Sequence, residues 1–146
     1  EIAAIWKTSA SDRLWQGPFL RPVPGAAIGR FGTRSIFNGK RRAPHSGADF
    51  LSPAGAPILA PNSGRVVLAR ALYFTGNTVV IDHGLGLFSL LAHLSTIEVE
   101  EGASATAGQV VGTVGATGRA SGPHLHWAVR VNDARVDPLA VLALLH

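Results

Sequence analysis

Residues 78–95 of the chain read TVVIDHGLGLFSLLAHLS, and this stretch decides the fold. Two apolar runs, Thr78–Asp82 and Leu87–Ala92, lie on either side of a link that contains two glycines. Each run is rich in Val, Ile, Leu or Phe and has the length of a buried strand rather than a helix. We therefore predict two strands joined through residues 83–86.

Similar short apolar runs continue along the chain, separated by turns that contain glycine, proline or asparagine. Asn38-Gly39 favours a two-residue hairpin, because both residues tolerate positive φ. Further strands are predicted at Pro57–Ala60, Gly64–Ala69, Gln109–Val114, Leu125–Val131 and Ala134–Val136. Many short strands separated by turns predict an all-β fold, an antiparallel sandwich or barrel with short flanking helices.

The organisation expected is one domain preceded by a short segment. Residues 1–20 are interpreted as an N-terminal segment and residues 21–146 as the folded domain. Within the first segment, Ile2–Leu14 is predicted to form a short helix, with Trp6 and Trp15 packing on the domain.

A C-terminal helix and an internal repeat are also predicted. Asp137 is expected to cap a helix over Leu139–Leu145, with Pro138 at its first position. The sequences 55–67 and 102–112 resemble each other, and each predicts a strand, a turn and a strand. This similarity suggests a duplicated β-hairpin.

The composition suits a globular domain. Of the 146 residues, 47% are hydrophobic and 15% charged, which is too apolar for disorder and enough for a real core. No apolar run approaches the roughly 18 residues of a membrane span, and no signal peptide is visible. Methionine is absent, so we expect a mature product or an excised fragment. Cysteine is absent too, so any metal must be held by His and carboxylate groups.

Charge is distributed unevenly. Residues 1–70 contain ten Lys or Arg and three Asp or Glu, whereas residues 71–146 contain three and six. The basic half suits an anionic partner, such as an acidic cell-wall polymer or nucleic acid, although ordinary surface charge would look the same. A nucleic-acid binder would place aromatic platforms among the basic residues, and Phe31 and Phe37 alone give little support.

Two pairs of polar residues have spacings that suggest a metal site. His45 and Asp49 are four apart, and on an extended strand such residues share a face. His124 and His126 flank Leu125, so both imidazoles would point to one face while Leu125 and Trp127 face the core. A solvated His–Asp pair or incidental surface histidines would give the same pattern.

Taken together, these pairs favour catalytic zinc. Such a site needs three protein ligands and an open position, a count that two His and one Asp satisfy. The remaining His would serve in proton transfer, since Glu occurs only at positions 1, 98, 100 and 101 and no His-Glu-x-x-His helix exists. His93, at the end of an apolar run, is a candidate. His83, in a predicted turn, is interpreted as structural.

The chain resembles the lysostaphin/LytM-type zinc peptidases, the M23 family, over roughly residues 21–142. The matching segments are Gly29–Arg34, His45–Asp49, Gly76–Gly84, Ala92–Ser95 and Gly118–His126. The resemblance implies an antiparallel β core related to barrel-sandwich hybrids, with a groove over one Zn²⁺. His45, Asp49 and His126 match the family's zinc ligands. His93 and His124 match its catalytic histidines, which activate water and stabilise the oxyanion.

The function implied is hydrolysis of peptide cross-links in bacterial peptidoglycan, in the periplasm or outside the cell. Similarity to Gram-negative envelope endopeptidases favours the D,D cross-link over a glycine bridge. Upstream domains or a regulatory partner are possible. Four cations near the motifs are candidates for attracting the carboxylates of stem peptides: Arg34, Arg41, Arg42 and Arg119.

Two other classes of protein remain alternatives. A non-catalytic cell-wall-binding module or amidase activator would have the same fold, but the complete set of matching histidines disfavours it. A biotin or lipoyl carrier needs a lysine at a hairpin tip, and neither Lys7 nor Lys40 lies in the repeated segments. A two-His phosphocarrier of the same class would have no need of Asp49. The small residues of Gly115–Gly118 and Ser121-Gly122 either let a peptide approach the metal or simply form turns.

Overall fold

The structure is a computed structural model that describes residues 5, 9–24, 27–29, 36–37, 40–41, 47–118, 122–131 and 134–144. Its strands are β1 (Ala27–Gly29), β2 (Ile36–Phe37), β3 (Lys40–Arg41), β4 (Ala48–Leu51), β5 (Pro57–Leu59), β6 (Gly64–Leu72), β7 (Gly76–Gly84), β8 (Leu87–Ile97), β9 (Ser104–Ala105), β10 (Val110–Val114), β11 (His124–Val131) and β12 (Ala134–Val136). One helix, α1 (Pro138–Leu144), follows them. No helix in these ranges is long and apolar enough to cross a membrane.

The predicted all-β architecture is confirmed. Ten of the described strands form one antiparallel sheet, whose main path runs β1-β4-β11-β8-β7-β6-β9. β10 joins β8 to β5, and β12 lies at the edge of β11. β2 and β3 form a separate hairpin in which Phe37 pairs with Lys40, as the Asn38-Gly39 turn predicts.

The central strands read as continuous apolar runs because both of their faces are covered. Val79 and Ile81 belong to the main hydrophobic core, whereas Val80 between them packs into a second, smaller cluster. β8 alternates likewise, with Leu91 in the main core and Ala92 in the smaller cluster. Hydrophobic packing on both faces therefore holds β7 and β8 in place, and β8 carries His93.

The repeated segments are not two hairpins, so that prediction was wrong. Each segment does contain a strand, a turn and a strand, but β5 pairs with β10 and β6 pairs with β9. Backbone hydrogen bonds from Ala60 N–H to Gln109 O and from Val66 N–H to Ala103 O continue this exchange. Sequence similarity shows which segments have the same shape, but it does not show which segments pair.

Of the helix predicted over Ile2–Leu14, Ile5 is helical, whereas residues 9–14 are not. Residues 9–16 are not helical, because their backbone amides bond to the sheet. Ala10 N–H donates to Asp82 Oδ2 at 2.8 Å, and Leu14 N–H donates to the His83 carbonyl at 2.8 Å. The Ser9 hydroxyl adds a 2.6 Å bond to Asp82 Oδ1. Trp15 packs against the main core as expected, whereas Trp6 lies outside the described residues.

His83 has the structural role expected of it, although it lies within β7 and not in a turn. Its ring is fully buried, and Nδ1–H donates to the Ser63 carbonyl at 2.9 Å. The Ser89 hydroxyl donates to His83 Nε2 at 2.8 Å and accepts the indole N–H of Trp127 at 3.2 Å. Burial is the main reason that the pKa of His83 falls to about 4, outweighing the bond to Ser63 and the charge of Asp82.

The C-terminal helix forms as predicted, although Leu145 lies outside the described residues. The carboxylate of Asp137 accepts the N–H of Leu139 at 3.0 Å, and Pro138 is the first helical residue. This is the arrangement of an N-cap followed by proline at the first position. Val141 on this helix is buried in the main core.

Candidate active site

The polar cluster lies on one line across three neighbouring strands. On β11, His126 pairs with Asp49 of β4 on one side and with Ala92 of β8 on the other. His124, two residues before His126, pairs with Leu51. His93 follows Ala92 directly, so the register brings its backbone next to the Asp and the other two His.

Strand alternation separates this site from the core. Phe50, Leu125 and Trp127 are completely buried on the inner face, and the rings of Phe50 and Trp127 lie 6.3 Å apart. Their neighbours Asp49, His124 and His126 point to the other face and are partly exposed. The prediction that the two histidines share a face while Leu125 and Trp127 face the core is confirmed.

Asp49 is the centre of the cluster. His126 Nδ1 and Asp49 Oδ1 are 2.8 Å apart, a hydrogen bond in which the imidazole N–H donates. His124 Nε2 lies 3.8 Å from the same oxygen. The carboxylate side chain is only 21% exposed and the two imidazoles 14% and 16%, so water screens the carboxylate charge weakly.

His93 lies inside β8 and not at its end as predicted. The strand continues past His93, and Thr96 still pairs with Thr113 of β10. Its backbone has a φ of +66°, and the register against β7 shifts at this point. Such a β-bulge re-aims a side chain out of the regular alternation. The ring centroid of His93 consequently lies 5.0 Å from that of His124 and 6.3 Å from that of His126.

Hydrogen bonds show which nitrogen of two of these rings carries the proton. His93 Nδ1 lies 2.7 Å from the Thr117 carbonyl, and His124 Nδ1 lies 2.8 Å from the Gly122 carbonyl. Because a carbonyl can only accept, both neutral rings hold their proton on Nδ1 and leave Nε2 as the basic nitrogen. Burial lowers the pKa of His93, and nearby His124 and His126 lower it further, against the opposing effects of Thr117 and Asp49.

The described residues supply only part of the expected metal site. No group of three His, Cys, Asp or Glu within the described ranges is arranged to hold a metal ion. The expected third ligand, His45, lies outside those ranges, as do Arg34, Arg42 and Arg119. Arg41 pairs with Ile36 in the β2–β3 hairpin. Asp49 and His126 are the two expected ligands that the structure brings together.

The Gly115–Gly118 loop packs against the protein's own backbone. A side chain on Gly115 would come within 2.5 Å of Ser95 N, and one on Gly118 within 2.3 Å of Gly76 N. Gly115 and Gly118 are therefore required for a close turn, the second of the two sequence interpretations, whereas a side chain on Gly122 would meet nothing within 4 Å. Sequence reasoning missed two residues that tie this loop to the sheet. Thr117, in the loop, bonds to the N–H of Asn77 on β7, and both side chains bond to the Leu94 carbonyl on β8. Nothing in their residue types indicates such a role.

A curated relative is similar over the part of the chain that contains the site. The peptidoglycan DD-endopeptidase ShyA of Vibrio cholerae is 42% identical over 100 residues, which are 68% of this chain and 23% of ShyA. The chain thus spans about a quarter of that relative's length.

Two solved structures have the same fold. A zinc containing peptidase from Vibrio cholerae superposes with a TM-score of 0.79 at 32% identity, covering 88% of this chain and 40% of that one. The catalytic domain of the antimicrobial peptidase lysostaphin from Staphylococcus simulans gives a TM-score of 0.72 at 29% identity, covering 82% and 92%. The sequence pattern of peptidase family M23 matches residues 43–138, a range that includes all five expected site residues. The chain belongs to peptidase family M23.

Proposed function

We propose that this chain is a zinc-dependent endopeptidase that hydrolyses D,D peptide cross-links of bacterial peptidoglycan. The observation that carries the proposal is the convergence of Asp49, His126, His124 and His93 on one partly exposed face of the sheet. In this proposal His45, Asp49 and His126 hold one Zn²⁺, while His93 and His124 handle protons.

The donor set fits zinc. Imidazole nitrogen and carboxylate oxygen are its usual ligands, and two ligands of one tetrahedral zinc lie roughly 3.3 Å apart. His126 Nδ1 and Asp49 Oδ1 are already 2.8 Å apart. Two His and one Asp would leave one position open for substrate. Bound Zn²⁺ would polarise the scissile carbonyl and acidify water.

His93 and His124 are suited to proton transfer. Both rings are anchored through Nδ1 to backbone carbonyls, so each offers Nε2 in a fixed orientation. A neutral imidazole can accept a proton from the attacking water, and the resulting imidazolium can donate a hydrogen bond to the developing oxyanion. The lowered pKa of His93 keeps that ring neutral, and therefore able to accept a proton, at pH 7.

The similarity to ShyA and the positive charge of the first half of the chain support peptidoglycan stem peptides as the substrate. ShyA is a peptidoglycan DD-endopeptidase, and the basic first half of this chain suits stem peptides that carry free carboxylates. Such a substrate places the enzyme in the cell envelope, in the periplasm or outside the cell. Because the chain is much shorter than ShyA, we also propose that further domains or a regulatory partner act together with it.

Hydrolysis of purified cross-linked muropeptide dimers tests the function. The zinc-loaded chain should release monomers that liquid chromatography and mass spectrometry can identify, and added salt should slow the reaction by screening the attraction. His93→Ala and His124→Ala should each lose about 100-fold or more in rate, the scale of a missing acid–base or oxyanion group.

Three results would contradict parts of this proposal. Cleavage of pentaglycine with no action on the dimers would move the substrate to a glycine bridge. Intact dimers in the presence of fully bound zinc would favour a cell-wall-binding module. Near wild-type turnover by either histidine variant would remove that histidine from the mechanism.

A further inference from the structure

The bulge that presents His93 requires support from outside its own strand. β8 pairs Leu91 with Val79 and Leu94 with Asn77, so Ala92 and His93 together lie opposite a single residue of β7. The φ of +66° puts His93 in the left-handed region, which residues with a side chain adopt uncommonly. A backbone of this kind persists only where its surroundings hold it in place.

One loop residue, Thr117, bonds to three parts of this bulge. Its hydroxyl accepts the backbone N–H of Asn77 at 3.0 Å and donates to the Leu94 carbonyl at 2.8 Å. Its own carbonyl accepts the Nδ1–H of His93 at 2.7 Å. The fourth restraint is the bond from His93 N–H to the Thr75 carbonyl, also 2.7 Å, in the β6–β7 turn.

The loop has little space in which to move while these bonds exist. Gly76 and Gly118 both have positive φ, and a side chain on Gly76 would come within 2.4 Å of the Thr117 hydroxyl oxygen. The Thr117 carbonyl is therefore held at one position relative to β7 and β8. Without the hydroxyl, the bonds that tie Thr117 to Asn77 and Leu94 would be lost.

We propose that Thr117 is the positioning residue for His93: its hydroxyl fastens the loop across the bulge, so that its carbonyl fixes the Nδ1–H tautomer and the orientation of the His93 ring. This inference rests on the proposed role of His93 in proton transfer. Thr117 does not touch substrate in this scheme. It acts by keeping Nε2 of His93 aimed at the cluster.

Thr117→Val tests the inference, because it keeps the side-chain shape and removes the hydroxyl. With cross-linked muropeptide dimers as substrate, kcat should fall on the order of 10-fold or more, the effect of a misplaced catalytic group, while KM changes less than about 2-fold. Zinc content should stay at the wild-type level. Thr117→Ser retains the hydroxyl and should recover most of kcat.

A spectroscopic measurement separates positioning from folding and does not depend on the substrate. The imidazole ¹⁵N shifts of His93 in the zinc-loaded chain should show the Nδ1–H tautomer in wild type and in Thr117→Ser, and a tautomer mixture in Thr117→Val. Thr113→Val is the matched control, since the Thr113 hydroxyl bonds to Thr96, away from His93, at 2.8 Å. It should change neither kcat nor the His93 shifts.

The outcomes that overturn the inference are distinct from failure of the proposed function. Unchanged kcat in Thr117→Val, or an equal loss in Thr117→Ser, would show that the hydroxyl does not position His93. If wild type cleaves no dimer, the proposed function fails, and the ¹⁵N shifts decide the inference alone. An unchanged tautomer in Thr117→Val would then overturn it, and a mixture would support it.

Discussion

At the scale of single residues, the histidines of the site differ in the hydrogen bond that each ring makes through Nδ1. His93 and His124 give their Nδ1 proton to a backbone carbonyl, whereas His126 directs Nδ1 to Asp49. Two rings therefore offer Nε2 for protons, and the third is engaged with the carboxylate. This difference is the structural argument for dividing the histidines between proton transfer and metal binding.

Removal of the Asp49 carboxylate or the His126 ring should abolish tight zinc binding. Asp49→Ala and His126→Ala each leave two of the three proposed protein ligands, and loss of a ligand lowers affinity severely. His45→Ala should do the same. Zinc per chain after dialysis, measured by atomic emission, provides the test.

The matched control for the zinc measurement is Asp12→Ala, which removes an exposed carboxylate in the N-terminal segment. It should retain about one zinc per chain, as wild type does. Full occupancy in both His45→Ala and Asp49→Ala would refute the proposed ligand set.

Sequence alone predicted the part of the site that follows strand periodicity. His124 and His126 had to share a face once Leu125 and Trp127 were taken as core residues, and they do. Thr117 could not be found in this way. Its role depends on a bond between a carbonyl and a ring 24 positions away, which no local pattern encodes.

At the scale of elements, strands were predicted well and their ends less well. β8 was expected to stop at Ala92 but continues to Ile97, because Leu94 and Thr96 pair with β10 after the bulge. The predicted N-terminal helix was wrong over residues 9–14, because Asp82 and the backbone of His83 bond to amides that a helix would use. In both cases a distant part of the chain overrode the local preference.

The C-terminal helix offers a test of a local interaction that the sequence did predict. Asp137→Ala removes the acceptor of the Leu139 N–H and should lower the free energy of unfolding by about 1 kcal/mol. Asp137→Asn retains a capping oxygen and should cost much less. Urea unfolding followed by tryptophan fluorescence measures both, and equal losses in the two variants would argue against the cap.

At the scale of the whole molecule, a buried series of hydrogen bonds leads from Ser63, just before β6, to β11, the strand that carries His124 and His126. It runs from the Ser63 carbonyl through the His83 ring and the Ser89 hydroxyl to the Trp127 indole, and Trp127 is adjacent to His126 on β11. The His83 Nδ1–H, the Ser89 hydroxyl and the Trp127 indole N–H each have an acceptor in this series, provided that His83 is neutral. A protonated His83 could not accept the Ser89 hydroxyl.

The stability of the chain should therefore decrease in mild acid. The pKa of His83 is about 4 in the folded protein, compared with about 6.5 when unfolded, so the unfolded state binds more protons between these values. The free energy of unfolding should rise with pH through this window, by about 3 kcal/mol in total, and level off above about pH 6.5.

Urea unfolding at several pH values in excess EDTA measures this contribution without that of bound metal. The control is His83→Gln, which cannot titrate and should give a flatter profile. The His83 Cε1 proton followed by NMR provides an independent check. A folded-state midpoint near pH 6.5 would show that burial does not keep this ring neutral.

The exchange of partners between β5, β6, β9 and β10 has a consequence for the order in which the sheet can fold. Leu59 pairs with Val110 and Gly64 pairs with Ala105, so β5 and the outer edge of β6 need partners that come about 40 to 50 residues later, although β6 can already pair with β7. Such distant pairings slow the search for the native state. The chain must be available through Val114 before this part of the sheet can close. Until then β5 and one edge of β6 stay unpaired, and unpaired strand edges are the places where a chain can pair with another copy.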